Sequence, residues 1–231
     1  MAGGFYRLEA KPVTRGQGHS TIAKVAYNTR SAIEDERLGV MQDYTRHANK
    51  ALWTGFYAPV NGERVPAWAQ DRATFWNALE ANEKRKDSSL AREFVACFPH
   101  EMEIEHARYA IQDWVRENFT RRGLAADVAI HPAHDHGDAR NVHAHIVVPD
   151  RAIDSNGEWG EKRKQMERDP STGKFRRVDK DELKHLRERF AHHLNRQLER
   201  HGYDEIRVDH RSLKAQGIER NPTLHLGRQD A

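Results

Sequence analysis

Residues 129–149 read AIHPAHDHGDARNVHAHIVVP and carry five of the fifteen histidines in this 231-residue chain. Side chains alternate across an extended strand, so residues two apart share a face. Over 142–148 that rule puts Val142, Ala144, Ile146 and Val148 on one face, and His143 and His145 on the other. The preceding stretch DVAIH repeats the pattern, with Val128 and Ile130 on one side and Asp127, Ala129 and His131 on the other. Paired antiparallel, the two strands turn an apolar face toward helices and bring three imidazoles together. A half-buried imidazole costs free energy unless it finds a partner, and three neutral ones aimed at one point suit a cation. Three protein nitrogens with positions left open make a catalytic rather than a closed structural metal site. His134 and His136, in the polar loop between the strands, compete for the third place.

The flanking sequence supplies the helices such a sheet needs. Ala107, Ala110, Ile111, Trp114 and Val115 form one apolar stripe at i, i+3, i+4, i+7 and i+8, which predicts a helix over 101–121. A last helix over 180–200 places Leu183, Leu186, Phe190, Leu194 and Leu198 on one side before Gly202. Ser20 is a suitable N-cap for a helix from Thr21 to Glu36, closed near Gly39, and another helix is expected over 71–86. GFYRLEAKPV reads as a first strand stopped by Pro12, ALWTGFYAPV as a weak strand, and SLAREFVACFP as a strand ended by Pro99. The expectation is α+β: a central antiparallel sheet flanked by helices, as a single domain over residues 1–231.

Composition narrows the class. Charged residues are 32% and hydrophobic ones 37%, with a net charge of only +3, which permits an acidic partner without demanding one. The one cysteine, Cys97, excludes an internal disulfide and fits a reducing compartment. No apolar run approaches the roughly 20 residues of a membrane span, and the start of the chain has no secretory core. The expected location is cytoplasmic, without membrane insertion.

Two more stretches carry chemistry. In HSTIAKVAYNTRS, Lys24, Tyr27 and Arg30 recur every third residue, so a phenol sits between two cations among small side chains. A phenol is a weak nucleophile at neutral pH, and neighbouring cations and a polarised phosphate ease its attack. EKRKQMERDPSTGKFRR, residues 161–177, holds seven Lys/Arg against three acids, with Trp159 and Phe175 as candidate base-stacking groups. Lys162, Arg163, Lys164 and Arg176 are the candidate phosphate contacts in it. DHRSLKAQGIER is basic as well.

Taken together these stretches resemble the MobA/MobL family of plasmid mobilisation relaxases, the MobQ class of the HUH endonucleases. YRLEAKPVTRGQGHSTIAKVAYNTR is similar to its first strand and tyrosine helix, AREFVACFP to its central strand, DVAIH and NVHAHIVV to its metal motif. NRQLERHGYDEIRVDHRSLKAQGIERNPTLHLG resembles its C-terminal segment. The resemblance implies Tyr27 as nucleophile, Glu93 as the assisting acid, and His131, His143 and His145 as ligands, leaving out His134 and His136. It further implies a divalent metal, Mg²⁺ or Mn²⁺ at work, where imidazoles would also take Zn²⁺ or Ni²⁺. The implied substrate is single-stranded origin-of-transfer DNA beside a hairpin, with Lys24, Arg30, Arg211, Lys214 and Arg220 near it. Relaxosome accessory proteins and a type IV coupling protein are the implied partners. Family members commonly continue into further regions beyond such a domain. Motif order separates this reading from rolling-circle replication initiators, which usually carry the tyrosine after the histidines. A nuclease using metal-bound water would leave no covalent product.

Overall fold

The computed structural model describes residues 2–47, 50–60, 65–133, 138, 140–163, 166–168, 175–177 and 179–219. In chain order the strands begin with β1 (Ala2–Gly3), β2 (Arg7–Thr14), β3 (Ala32–Asp35), β4 (Val40–Asp43), β5 (Trp53–Tyr57) and β6 (Ser89–Cys97). They continue with β7 (Ala126–His131), β8 (His143–Pro149), β9 (Arg151–Ile153), β10 (Trp159–Lys162), β11 (Met166–Arg168), β12 (Phe175–Arg177) and β13 (Ile206–Arg207). The helices are α1 (Thr21–Thr29), α2 (Arg72–Asn82), α3 (Ile104–Asn118) and α4 (Asp179–Arg200).

Five strands form the central sheet in the order β2-β6-β8-β7-β5, every neighbour antiparallel. The expected α+β architecture is present. One face follows the alternation: Phe94, Val128, Ile130, Ala144, Ile146 and Val148 pack against Trp114 and Phe119 at the α3 end and Phe190 of α4. All five residues of the α3 stripe are fully buried. The Trp114 indole donates to the Leu186 carbonyl at 3.0 Å, locking α3 to α4.

The opposite face is covered as well. Ile22 and Val25 of α1 and Phe75, Trp76 and Leu79 of α2 bury Val13, Ala91 and Val147 in a second core. Beneath α2 the Asp127 carboxylate takes hydrogen bonds from Arg72 at 2.8 Å and from the Trp76 indole at 3.1 Å. The histidines lie beyond this cover, toward the far end of β7 and β8.

Three expectations need correction. The helix from Thr21 stops at Thr29 instead of reaching Glu36, because Arg30 adopts φ +55° and caps it in the left-handed region. The chain then alternates, with Ile33 and Asp35 buried and Ala32 and Glu34 exposed, and returns through Gly39 (φ +65°) as the β3-β4 hairpin. Pro12 does not end its strand: β2 runs on to Thr14. This is an edge strand, where a missing N–H faces outward and breaks no ladder. Trp159 is no open stacking platform, since its ring packs on Trp68 and Phe75 at 5.4 and 5.5 Å.

Candidate metal centre

Register decides the centre. His131 pairs directly with His143, and Ala129 with His145, so the three imidazoles emerge side by side on one face of two adjacent strands. Their ring centroids are 4.9 to 5.9 Å apart, and one ligand atom from each lies within 4.8 Å of the others. The rings are angled against one another by 49° to 72° rather than stacked.

Each imidazole is oriented by an acceptor. His143 Nδ1 donates to the Asn141 carbonyl at 2.9 Å, His145 Nδ1 to Glu93 Oε1 at 2.8 Å, and His131 Nε2 to the Asn28 carbonyl at 2.6 Å. Each acceptor is a carbonyl or carboxylate oxygen, so the nitrogen facing it is the protonated one, and in the neutral form of a ring the lone pair sits on the other nitrogen. Outer partners of this kind set tautomer and ring angle in metal sites. Burial pushes the His131 imidazole down to about 4, beyond what its bond to Asn28 restores, and the charges of His145, Arg30 and His143 act in the same direction. The ring is therefore neutral at physiological pH, as a ligand must be. The donor set fits a divalent cation.

Glu93, on β6, is nearly buried beside them. Burial opposes its ionisation, yet the His145 hydrogen bond and charge, Lys24 and the Asn28 amide together hold its carboxyl at about 2. Lys24 Nζ reaches Oε2 at 3.1 Å and Asn28 Nδ2 reaches Oε1 at 3.0 Å. Lys24 and Asn28 are one helical turn apart on α1, and Tyr27 lies between them in sequence. The helix that carries the tyrosine is thus tied to the histidine centre by two side chains and one backbone carbonyl.

Tyr27 itself is 38% exposed. The Arg30 guanidinium stacks over its ring at 4.3 Å, and Tyr44 and His47 meet it edge-on at 5.4 and 5.5 Å. The sequence pattern does not single out Asn28, Tyr44 or His47. The i, i+4 spacing of Lys24 and Asn28 is visible in it, but nothing there names Glu93 as the group they meet.

The basic candidates separate. Lys162 pairs with Glu83 at 2.7 Å, and Arg163 with Asp150 and Glu182 at 3.2 and 3.4 Å, so both anchor the turn around β10 to the body. Arg211 pairs with Asp209 at 2.6 Å, and Lys214 is exposed in a short 3-10 turn, Leu213–Gln216. Lys164, Arg220, His134 and His136 lie outside the described residues, as does the side chain of Arg176 on β12.

A three-histidine centre on a five-stranded antiparallel sheet, with a tyrosine helix docked on it, defines a class, and comparison with known proteins gives its family. The MobA/MobL family model matches residues 19–231. The chain belongs to that family. It is 33% identical to mobilization protein MobL of Acidithiobacillus ferridurans, over 96% of this chain and 62% of that protein. It is 32% identical to probable mobilization protein MobA of Bifidobacterium longum, over 96% of this chain and 43% of that protein. The chain therefore spans less than two thirds of these curated relatives. A solved structure described as the molecular basis of vancomycin resistance transfer in Staphylococcus aureus superposes with a TM-score of 0.73 at 27% identity. It is matched over 99% of its length and 90% of this chain.

Proposed function

We propose that this chain is a relaxase domain acting in DNA mobilisation in the cytoplasm: it nicks one strand of origin DNA by tyrosine transesterification and later reseals it. The observation that carries the reading is the tie between α1 and the centre, through Asn28 to His131 and through Lys24 and Asn28 to Glu93. It sets a partly exposed phenol on the element that closes one side of three convergent imidazoles.

In this reading the Tyr27 oxygen attacks the scissile phosphorus and the bond from phosphorus to the 3′ oxygen breaks. The products are a 5′-phosphotyrosine and a free 3′-hydroxyl, and the phenolic proton ends, through solvent, on that hydroxyl. Because the ester energy is kept, the 3′-hydroxyl of the same or another end can reverse the step. Arg30 over the ring holds the phenol in place and adds positive charge beside the incoming phosphate. Glu93 keeps His145 turned with its Nε2 lone pair available. A divalent cation held by His131, His143 and His145 would supply positive charge against the phosphate oxygens. Mg²⁺ and Mn²⁺ are the working candidates, with relaxosome accessory proteins and a coupling protein as partners.

The test is denaturing electrophoresis of a single-stranded pool with Mn²⁺, labelled in one arm at the 3′ end and in the other at the 5′ end. Transesterification sends the 3′ label to the protein band and leaves the 5′ label on a shortened free strand. Tyr27→Phe is expected to abolish both. Cleavage that survives Tyr27→Phe with no label on protein would replace the tyrosine with activated water.

A further inference from the structure

Beyond its helical N–H, Asn28 has three polar groups, and the contacts described so far use two of them. Its backbone carbonyl, one of the last of α1 and so without a helical partner, accepts from His131 Nε2 at 2.6 Å. Its Nδ2 donates to Glu93 Oε1 at 3.0 Å. A carboxylate oxygen can only accept, so the amide nitrogen must be the atom facing Glu93, and the third group is the amide oxygen. That oxygen, Oδ1, is sealed from solvent and meets no hydrogen-bond donor among the described residues. The residue as a whole is 3% exposed. A buried acceptor left unpaired is costly, and one in a folded protein calls for a partner from outside the chain.

The surroundings of Oδ1 narrow that partner. Glu93 Oε1, which the Asn28 amide touches, is also the acceptor for His145 Nδ1 at 2.8 Å, and the Asn28 carbonyl holds His131. Asn28 is thereby bonded, directly or through one carboxylate oxygen, to two of the three imidazoles that could hold a metal ion. A water on a carbonyl oxygen needs about 2.8 Å, whereas Mg²⁺ sits at about 2.1 Å. An oxygen closed to water can still be reached by a bare cation. The donor chemistry points the same way. Imidazoles suit Zn²⁺, Ni²⁺ or Cu²⁺, and carbonyl oxygens suit Mg²⁺ and Mn²⁺.

We propose that Asn28 Oδ1 is a fourth protein donor of the metal centre, beside His131, His143 and His145. The assignment deepens the function proposed above and rests on its divalent cation, not on its tyrosine chemistry. Asn28 follows Tyr27 in the chain, so a cation held by Asn28 is bound to the helix of the nucleophile as well as to the sheet. Loading the cation and seating α1 are then one event. The preference for Mg²⁺ or Mn²⁺ over Ni²⁺ is set by a residue of α1 that the histidine pattern does not include.

The experiment is titration calorimetry of the full chain with Mn²⁺ and with Ni²⁺, without DNA. It is joined by a count of the waters on bound Mn²⁺, from the oxygen relaxation of isotopically labelled water. Asn28→Ala keeps the backbone carbonyl that orients His131 and removes the whole amide. It is expected to lose roughly tenfold or more in Mn²⁺ affinity but only a few-fold in Ni²⁺ affinity, and to gain a water on the bound Mn²⁺. Asn28→Asp has the same shape, lacks the Nδ2 donor as well, and keeps an oxygen at the site. It is expected to hold Mn²⁺ within a few-fold of the wild type, with the wild-type water count. Neither variant can donate to Glu93. If Asn28 acts only by positioning Glu93, both variants lose affinity for both metals in equal proportion and the water count stays unchanged; that pattern overturns the proposal. A wild type that binds no Mn²⁺ overturns it too, and removes the cation from the proposed function with it. The covalent-adduct gel separates the two claims. An adduct beside the overturning pattern sinks only the role of Asn28; no adduct beside the expected pattern sinks only the tyrosine chemistry.

Discussion

At the scale of single residues the centre depends on second partners as much as on the three histidines. Glu93 Oε1 accepts from both His145 and Asn28, and Oε2 from Lys24. One carboxylate therefore sets a ring angle and the seat of a helix together. Glu93→Gln keeps the shape and removes the charge that three donors share. Its Mn²⁺ affinity, measured by titration calorimetry without DNA, should fall 10- to 100-fold, the usual cost of removing an outer partner. An unchanged affinity would show that Glu93 does not orient His145 for metal. Tyr27 has the opposite character. It is held by ring contacts with Arg30, Tyr44 and His47, so Tyr27→Phe should leave the fold and the metal affinity intact while ending adduct formation.

At the scale of elements, α1 is stitched at both ends. Ser20 caps it by accepting from the Ala23 N–H at 3.3 Å and donates to the buried Asp35 of the β3-β4 hairpin at 2.6 Å. The hairpin and the helix are thereby one unit, and Tyr44, just after β4, is carried to the Tyr27 ring. Under α2 the sheet holds a costlier group. Burial raises the Asp127 carboxyl to about 6 against the pull of Arg72 and Trp76. A raised carboxyl stabilises the fold most below its unfolded value near 3.8, and that stability is lost as pH rises through about 6. Two pH units correspond to at most about 3 kcal/mol. Other carboxyls, Glu93 among them, are lowered and slope the other way, so the readout is a difference. Urea midpoints of the wild type minus those of Asp127→Asn should decline between pH 4 and 6 and level off above. A difference that stays flat over that range would show Asp127 ionised throughout.

At the scale of the whole molecule, two unequal cores grip one sheet. The larger, on the α3-α4 side, is built on Trp114, which touches Phe94, Phe119 and Phe190 at ring-centroid distances of 5.6, 5.0 and 5.4 Å. Trp114→Ala should cost about 3–5 kcal/mol, read as a lower denaturation midpoint with Mn²⁺ binding preserved in the fraction that folds. The smaller core lies on the other face, and the histidines sit at its margin, with His131 held to α1 through the Asn28 carbonyl. Among the described residues no helix is long and apolar enough to cross a membrane.

Much of this is legible in the chain itself. Alternation over 126–131 and 142–148 determined which face of each strand bears the imidazoles, because the period of a strand leaves no freedom in that choice. The 3.6-residue stripe of α3 determined its buried face for the same reason. Tyr27 and Glu93 were selected by the likeness of their surroundings to a family, not by spacing. What only the tertiary structure decided is everything that joins elements distant in sequence. The end of α1 at Thr29 followed from a left-handed Arg30 and a hairpin that binds Ser20, a long-range competition that local propensity does not report. The seating of Asn28 between His131 and Glu93 spans 103 and 65 residues of chain. A groove at the edge of β2 exists because residues 4–9 and 207–218 are brought side by side. Local periodicity sets what each segment buries, whereas the partners it buries against are set by packing the whole.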